Sequence, residues 1–340
     1  FVGLSIVLSL ILMPCIIGFC KKFGLYDYQN TRKIHSGNIP RLGGVGIVAS
    51  FFISTLLYIL ITKELSIANH WPILAAALIV FVFAIVDDIF NLPAVVKLIV
   101  QLIAVSIVTF NGYRFTQIFN LKLPTIISFG LTFGWILGVI NAYNLIDGLD
   151  GLCGSLSITA LITLGILYTL SGNAEAALCF ILAGSIFGFM CFNWPPAKLF
   201  MGDNGSQFLG FMISTIPLYS SGDVFEYNKL LIMIIIASFP VFDTIAAIWR
   251  RLRDKKPIMS GDRSHLHHKL LNLGYSKTYA LYLIVFLQIL ICSSVIVSFF
   301  LGTSKGAALL IETAAFIILF FSIIHYTNKK VMMNKKDTEK

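Results

Sequence analysis

"NAYNLIDGLDGL", residues 141–152, carries two asparagines, two aspartates and two glycines between apolar stretches covering 126–146 and 152–170. Each stretch is long enough to cross a bilayer, which takes about 20 mostly apolar residues. Polar groups at such a junction are costly. The segment therefore asks how the chain folds around it and what Asn141, Asn144, Asp147 and Asp150 do there.

The rest of the chain matches those flanks. Hydrophobic residues make up 57% and charged residues 12%, with a mean hydropathy of +0.88. A soluble domain carries about 25% charged residues, so this chain cannot cover a water-facing surface. It reads as an all-α, polytopic integral membrane protein. Eleven candidate transmembrane helices fall near 1–20, 43–62, 71–86, 94–110, 126–146, 152–170, 175–193, 206–221, 229–249, 278–300 and 305–325. A β-barrel would show short alternating segments instead. The first span has no basic stretch before it and Lys21 and Lys22 after it, which predicts a retained helix with its N-terminus outside. Residues 1–326 read as one transmembrane catalytic domain and 327–340 as a solvated, frayed cytoplasmic tail.

Charge sets the orientation. With the N-terminus outside, the inner loops hold Lys21, Lys22, Arg32, Lys33, Arg41, Lys198, Arg250, Arg251, Arg253, Lys255, Lys256, Arg263, Lys269 and Lys277, and the tail adds five lysines. The outer loops hold Lys63, Arg114, Lys122, Lys229 and Lys305. The net charge of +9 is thus a topology signal, with the C-terminus inside. It is scattered rather than gathered in one basic domain, which argues against a nucleic-acid partner. The six cysteines form no CxxC pair and read as small apolar helix residues.

The acids segregate under this topology. Asp87, Asp88, Asp147, Asp150, Asp203, Asp243 and Asp262 all fall on the inner face, out of 16 acidic residues in the chain. Helix capping would explain any one of them, but not their convergence from separate junctions. Adjacent carboxylates such as Asp87 and Asp88 repel unless a cation or proton neutralises them. Asn141, Asn144 and Asp147 line one stripe if their helix persists, and the glycines of "DGLDG" let backbone N–H groups approach a ligand. Lys97 and Gln101 share a face of the fourth span, where Lys97 either snorkels to the interface or meets a phosphate. Carboxylates without Cys partners suit a hard cation such as Mg²⁺, which takes one or two carboxylates plus phosphate oxygens. The spacing of His265, His267 and His268 is poor for zinc, and histidines beside Arg263 and Lys269 suit an anionic ligand. An ion-coupled transporter is the rival class. Its sites lie near the midplane, commonly in repeated halves, whereas these residues lie at the inner interface and no halves repeat.

Together "VDDIFNL", "NAYNLIDGLDGL", "NWPPAKLFMGDNGS", "DRSHLHHKL" and "RKIHSGNIPRLGG" resemble the polyprenyl-phosphate N-acetylhexosamine-1-phosphate transferases of glycosyltransferase family 4. This family includes initiating enzymes of O-antigen, enterobacterial common antigen and teichoic acid synthesis and the phospho-MurNAc-pentapeptide translocase. The resemblance runs over residues 25–275. It implies a Mg²⁺-dependent enzyme, with Mn²⁺ as a substitute, in the bacterial inner membrane with its active site facing the cytoplasm. Its partners are a UDP-sugar donor and a polyprenyl phosphate acceptor; a homodimer is admitted. By the same resemblance Asp87 is the base acting on the lipid phosphate, and Asp88 a second carboxylate at the metal. Asn144, Asp147 and Asp150 contact the UDP-sugar, with Asn141 behind them. Asp203 is the metal ligand, Asn193 and Phe200 lie near the nucleobase, and His265, His267 and His268 reach the diphosphate; phosphoryl chemistry adds Lys97 as a group that stabilises the developing diphosphate. His35, Arg41, Gly43 and Gly44 are secondary candidates. A phosphate monoester has a second pKa of about 6 and is largely dianionic at neutral pH, which leaves orientation or metal holding as the alternative for Asp87. The form His265-Leu266-His267-His268-Lys269 resembles the GlcNAc branch, implying transfer of GlcNAc-1-phosphate from UDP-GlcNAc to undecaprenyl phosphate with release of UMP. Another UDP-HexNAc, or UDP-MurNAc-pentapeptide, is the alternative donor.

Overall fold

The structure, a computed structural model, describes residues 1–26, 38–219, 223–255, 257 and 265–338. His35, Asp262 and Arg263 of the expected inner loops lie outside the described residues. Among the described residues the fold is all-α apart from one two-stranded hairpin. Its helices are α1 (Val2–Phe23), α2 (Gly43–Thr62), α3 (Ile67–Phe90) and α4 (Ala94–Phe110), followed after the hairpin by α5 (Thr125–Ile146), α6 (Leu152–Leu170), α7 (Ala176–Asn193) and α8 (Gly202–Thr215). Then come α9 (Asp223–Ile236), α10 (Ser238–Arg253), α11 (Leu266–Asn272), α12 (Lys277–Phe300) and α13 (Gly302–Thr338). The hairpin pairs β1 (Gln117–Ile118) with β2 (Leu121–Lys122).

Of the eleven expected spans, eight are helices long and apolar enough to cross a membrane: α1, α2, α3, α5, α6, α7, α12 and α13. The expected span at 229–249 is not one straight helix. It breaks between α9 and α10 with a bend of 76°. Pro240 is the physical reason: a proline ring clashes with the carbonyl four residues back and lacks the N–H that would bond it. That carbonyl, on Ile236, accepts instead from Gln288 Nε2 on α12 at 2.8 Å. The remaining two, α4 with 17 residues and α8 with 14, are short for the bilayer core, which takes about 20 residues of helix. α13 runs unbroken past residue 326 to Thr338, so the tail expected to fray is helical there.

Small and hydroxylated residues let the helices approach. Ser5 and Ser9 of α1 lie against Gly184 and Gly188 of α7, and Ser9 Oγ donates to the Ser185 carbonyl at 2.7 Å, a type of contact that helps join helices in lipid. α6 and α7 are largely buried and form the centre, while α1 is peripheral. The C-terminal ends of α3 and α5 meet the N-terminal ends of α4 and α8 at one end of the bundle. The other end gathers His70, Glu175, Tyr113 and Tyr219, with His70 Nε2 3.3 Å from Glu175 Oε1.

Candidate active site

The turn after α3 is built to hold Asp87. Asn91 takes the left-handed conformation (φ 49°) and donates its N–H to the Asp87 carbonyl at 2.8 Å, a role asparagine tolerates better than most residues. Leu92 N–H then bonds Asp87 Oδ1 at 2.9 Å. Pro93 is the N-cap of α4. One turn into α4 is Lys97. Its ammonium pairs with Asp87 Oδ2 and lies 3.4 Å from Asp203 Oδ2. The sequence left Lys97 between lipid interface and phosphate site; the structure places it between two carboxylates.

Asp88, on the adjacent helix position, faces the first turn of α8. Its Oδ1 accepts from the main-chain N–H of Asp203 at 3.1 Å. Its Oδ2 accepts from the Asn204 main chain at 2.9 Å and from Asn204 Nδ2 at 2.6 Å. A carboxylate at a helix N-terminus satisfies otherwise orphaned donors and suits the positive end of the dipole. Asp88, expected as a metal carboxylate, also holds the turn that carries Asp203. Gly202 makes the approach possible: it has φ +77°, and a Cβ there would lie 2.2 Å from the Arg41 carbonyl. Gly43 and Gly44 donate main-chain N–H groups to the Phe200 and Met201 carbonyls at 2.9 Å each. So the start of α2 braces the "FMGDNG" turn, with Arg41 and Phe200 both half-buried beside it.

From Asp203 a chain of amides runs into the bundle. Gln207 Nε2 donates to Asp203 Oδ2 at 3.4 Å, Gln101 Nε2 to Gln207 Oε1 at 3.1 Å, and Asn141 Nδ2 to Gln101 Oε1 at 3.0 Å. Asn144 Nδ2 donates to Ser206 Oγ at 3.1 Å. The asparagines of α5 are therefore tied to the helix bearing Asp203. Sequence spacing singled out Gln101 but gave it no role, and missed Gln207. The stripe expected to run through Asp147 stops earlier: α5 ends at Ile146, with Asp147 as its C-cap.

The junction after α5 is also bracketed from α7. Asn193 is buried; its Oδ1 accepts from Gly151 N–H at 2.9 Å and its Nδ2 donates to the Leu199 carbonyl at 2.9 Å. Asp150 Oδ2 accepts from Ala197 N–H at 3.2 Å. Asn193, expected near the nucleobase, thus commits both ends of its amide to protein partners, and the Gly151 N–H expected to meet a ligand is engaged by it.

Gly148 has a different use. A Cβ on it would lie 2.8 Å from Cε1 and Nε2 of His267, so the histidine segment packs directly on this junction. The His267 and His268 rings lie 4.3 Å apart, and His265 stacks parallel to His267 at 6.0 Å. Burial pushes the His267 pKa down to about 3, with the His268 charge adding to the effect. Its ring is neutral near pH 7. The fold should therefore lose stability as pH falls from about 6.5, where an unfolded histidine protonates, towards the folded value. His265 Nδ1 bonds Asp243 Oδ2 at 2.7 Å, and Leu266 N–H bonds Asp243 Oδ1 at 2.9 Å. Asp243 was visible as an inner-face acid, but its histidine partner was not. Gly148→Ala is expected to displace His267 and lower turnover about 10- to 100-fold, since ångström misplacement is enough for that. Unchanged initial rates of the purified variant would show that this packing is dispensable.

A family model described as glycosyl transferase family 4 matches residues 70–221. The chain is 36% identical over 302 residues to a Bacillus subtilis (strain 168) protein named "Probable undecaprenyl-phosphate N-acetylglucosaminyl 1-phosphate transferase", covering 86% of this chain and 82% of that one. The chain belongs to this transferase family. Other similar proteins include a "Decaprenyl-phosphate N-acetylglucosaminephosphotransferase" of Mycolicibacterium smegmatis, 30% identical over 77% of this chain and 72% of its own. An "Undecaprenyl-phosphate alpha-N-acetylglucosaminyl 1-phosphate transferase" of Yersinia pestis is 33% identical over 77% of this chain and 74% of its own. Family membership makes the chain a phosphotransferase, moving a sugar phosphate from a UDP-N-acetylhexosamine to a polyprenyl phosphate at a membrane.

Among the described residues no group of three or more His, Cys, Asp or Glu side chains is arranged to hold a metal ion. The donor chemistry fits a divalent cation of the kind the family uses in a different way. Asp203 has a carboxylate one-third exposed, beside the ammonium of Lys97. Mg²⁺ commonly takes one or two carboxylates and fills its shell with substrate phosphates and water, so such a site needs no protein cage.

Proposed function

We propose that this transferase moves GlcNAc-1-phosphate from UDP-GlcNAc to undecaprenyl phosphate, releasing UMP, as the first membrane step of an envelope polysaccharide. The observation that carries the reading is the meeting of Asp87, Lys97 and Asp203 at the end of the bundle where the α5 junction and the histidine segment also pack. The names of the similar proteins and the His-Leu-His-His form of the histidine segment support GlcNAc as the sugar. The same chemistry with another UDP-HexNAc is the second reading.

In this proposal the site faces the cytoplasm of a bacterial inner membrane. The eight long helices, the bent α9–α10 pair and the short α4 and α8 make eleven spans, with the N-terminus outside and the C-terminus inside. The lysine and arginine excess in alternate loops supports that orientation.

Asp203 would hold Mg²⁺, or Mn²⁺ in its place, with Asp88 fixing the turn behind it. When bound, the cation supplies charge neutralisation and polarisation at the phosphates. Lys97 stabilises the charge that develops as one phosphoanhydride replaces another. Asp87 holds Lys97 by its ion pair; the acceptor phosphate is already largely dianionic above its second pKa of about 6, so Asp87 orients more than it deprotonates. Asn144, Asp147 and Asp150 form the nucleotide side with Asn141 behind them, Asn193 braces the junction, and Arg41 and Phe200 flank the entrance. His265, His267 and His268 lie on the diphosphate side.

Purified protein with Mg²⁺ and undecaprenyl phosphate tests this when given UDP-GlcNAc, UDP-GalNAc or UDP-MurNAc-pentapeptide separately. The expected result is UMP and a lipid-linked sugar diphosphate with UDP-GlcNAc. UDP as the product would mean attack at the sugar carbon and would sink the mechanism. Turnover only with the pentapeptide donor would keep the mechanism and replace the sugar.

A further inference from the structure

Asp243 lies on α10, in the second half of the bent pair, and is only 2% exposed. Both of its oxygens are engaged by the start of α11. Oδ1 accepts from Leu266 N–H at 2.9 Å, and Oδ2 meets His265 Nδ1 at 2.7 Å. His265 occupies the N-cap position of α11 but makes no side-chain cap bond. Asp243 provides that cap from another helix, 22 residues away from His265 in sequence.

Two consequences follow from elementary chemistry. A carboxylate accepts, so the nitrogen facing it carries a hydrogen: Nδ1 is the N–H end of the ring. The remaining ring nitrogen, Nε2, is then the atom that can meet a substrate. The anchored segment also carries His267, whose ring rests on Gly148 of the α5 junction. Fixing the first residue of α11 thus fixes where the whole histidine segment sits against that junction. The break at Pro240 contributes here, because it turns α10 away from the line of α9.

We propose that Asp243 is the positioning residue of the histidine segment. It holds His265 by Nδ1 so that Nε2 meets the anionic diphosphate of the donor, and it supplies the countercharge for the imidazolium form that contact with an anion favours. This rests on the transferase reading of the site. Asp243 itself touches no substrate and acts through His265, as outer-shell carboxylates do when they orient a histidine.

Asp243→Asn tests it with little change in shape. An amide has one acceptor, while Leu266 N–H and His265 Nδ1–H each need one. With the oxygen on Leu266 N–H, the amide NH₂ faces Nδ1 and forces the other tautomer. Turnover of UDP-GlcNAc is expected to fall about 10- to 100-fold, mostly in kcat. In a His265→Ala background the same substitution should cost less than about twofold, because residues acting as a unit are not additive. An equal loss in both backgrounds would show that Asp243 does not act through His265 and would overturn the proposal with the transferase reading intact. Wild-type turnover by His265→Ala alone would remove His265 from the site, and the proposal with it. A spectroscopic readout is independent of how any variant folds. In ¹⁵N-histidine-labelled wild-type protein, His265 must carry its hydrogen on Nδ1, and on both nitrogens once UDP-GlcNAc is bound. An unprotonated Nδ1 in wild-type protein would overturn the proposal outright.

Discussion

Asp203→Ala is expected to lower turnover on the order of 10³-fold, the upper range for removing one preorganised electrostatic group from an active site, while the protein still inserts and purifies normally. The two halves of this expectation have separate physical grounds. The bonds that fasten the start of α8 run from main-chain N–H groups of Asp203 and Asn204, and from Asn204 Nδ2, to Asp88. Alanine keeps them all. What it removes is the carboxylate beside Lys97 and Gln207, the group proposed to hold the cation. The variant should therefore show wild-type expression and thermal stability in detergent but no Mg²⁺-dependent stabilisation by UDP. Substantial Mg²⁺-dependent activity in Asp203→Ala would place the metal elsewhere. Asp88→Ala should contrast with it: the α8 turn loses its acceptors, and stability falls together with activity.

How far the sequence could foresee this depends on the range of each interaction. Continuous apolar runs located the helices well: α6 occupies Leu152–Leu170, the limits read from the sequence. Hydropathy alone did not see the break before α10, because Pro240 sits in a run that stays apolar on both sides. Nor could it distinguish a long span from α8, which is short and embedded. The acids at the site were legible because ionisable groups at membrane ends are rare and costly. Their division of labour was not. Asp87 faces Lys97 and Asp88 faces the α8 turn because adjacent helix positions point about 100° apart, and only the packed neighbours say which faces what. The brackets made by Asn193 and Asp150 join segments 42 and 47 residues apart, and Asp243 joins His265 across 22 residues. No local pattern encodes such pairs. The one available signal was an acid inside an apolar span at "VFDT", which noted Asp243 without identifying its partner.

Lys97→Gln should be nearly as damaging as the loss of Asp203, for a reason the sequence left open. The ammonium is the cation shared by Asp87, which is 3% exposed, and Asp203. Glutamine can still donate a hydrogen bond but carries no charge. Two carboxylates are then left close together where water is scarce, and like charges there repel unless one is protonated. Removing one partner of such a group leaves an uncompensated charge, which is destabilising, though the part-exposure of Lys97 and Asp203 moderates it. The developing charge of the transferring phosphates loses its fixed positive partner at the same time. Turnover is expected to drop about 10²- to 10³-fold, with a lower unfolding temperature. Adding Asp87→Asn separates the two effects. The double variant has one carboxylate fewer to compensate, so thermal stability should return towards wild type while turnover stays low. Recovery of both would mean that Lys97 serves the fold alone. Wild-type turnover by Lys97→Gln would mean that the Asp87–Lys97–Asp203 cluster is not where the phosphates meet.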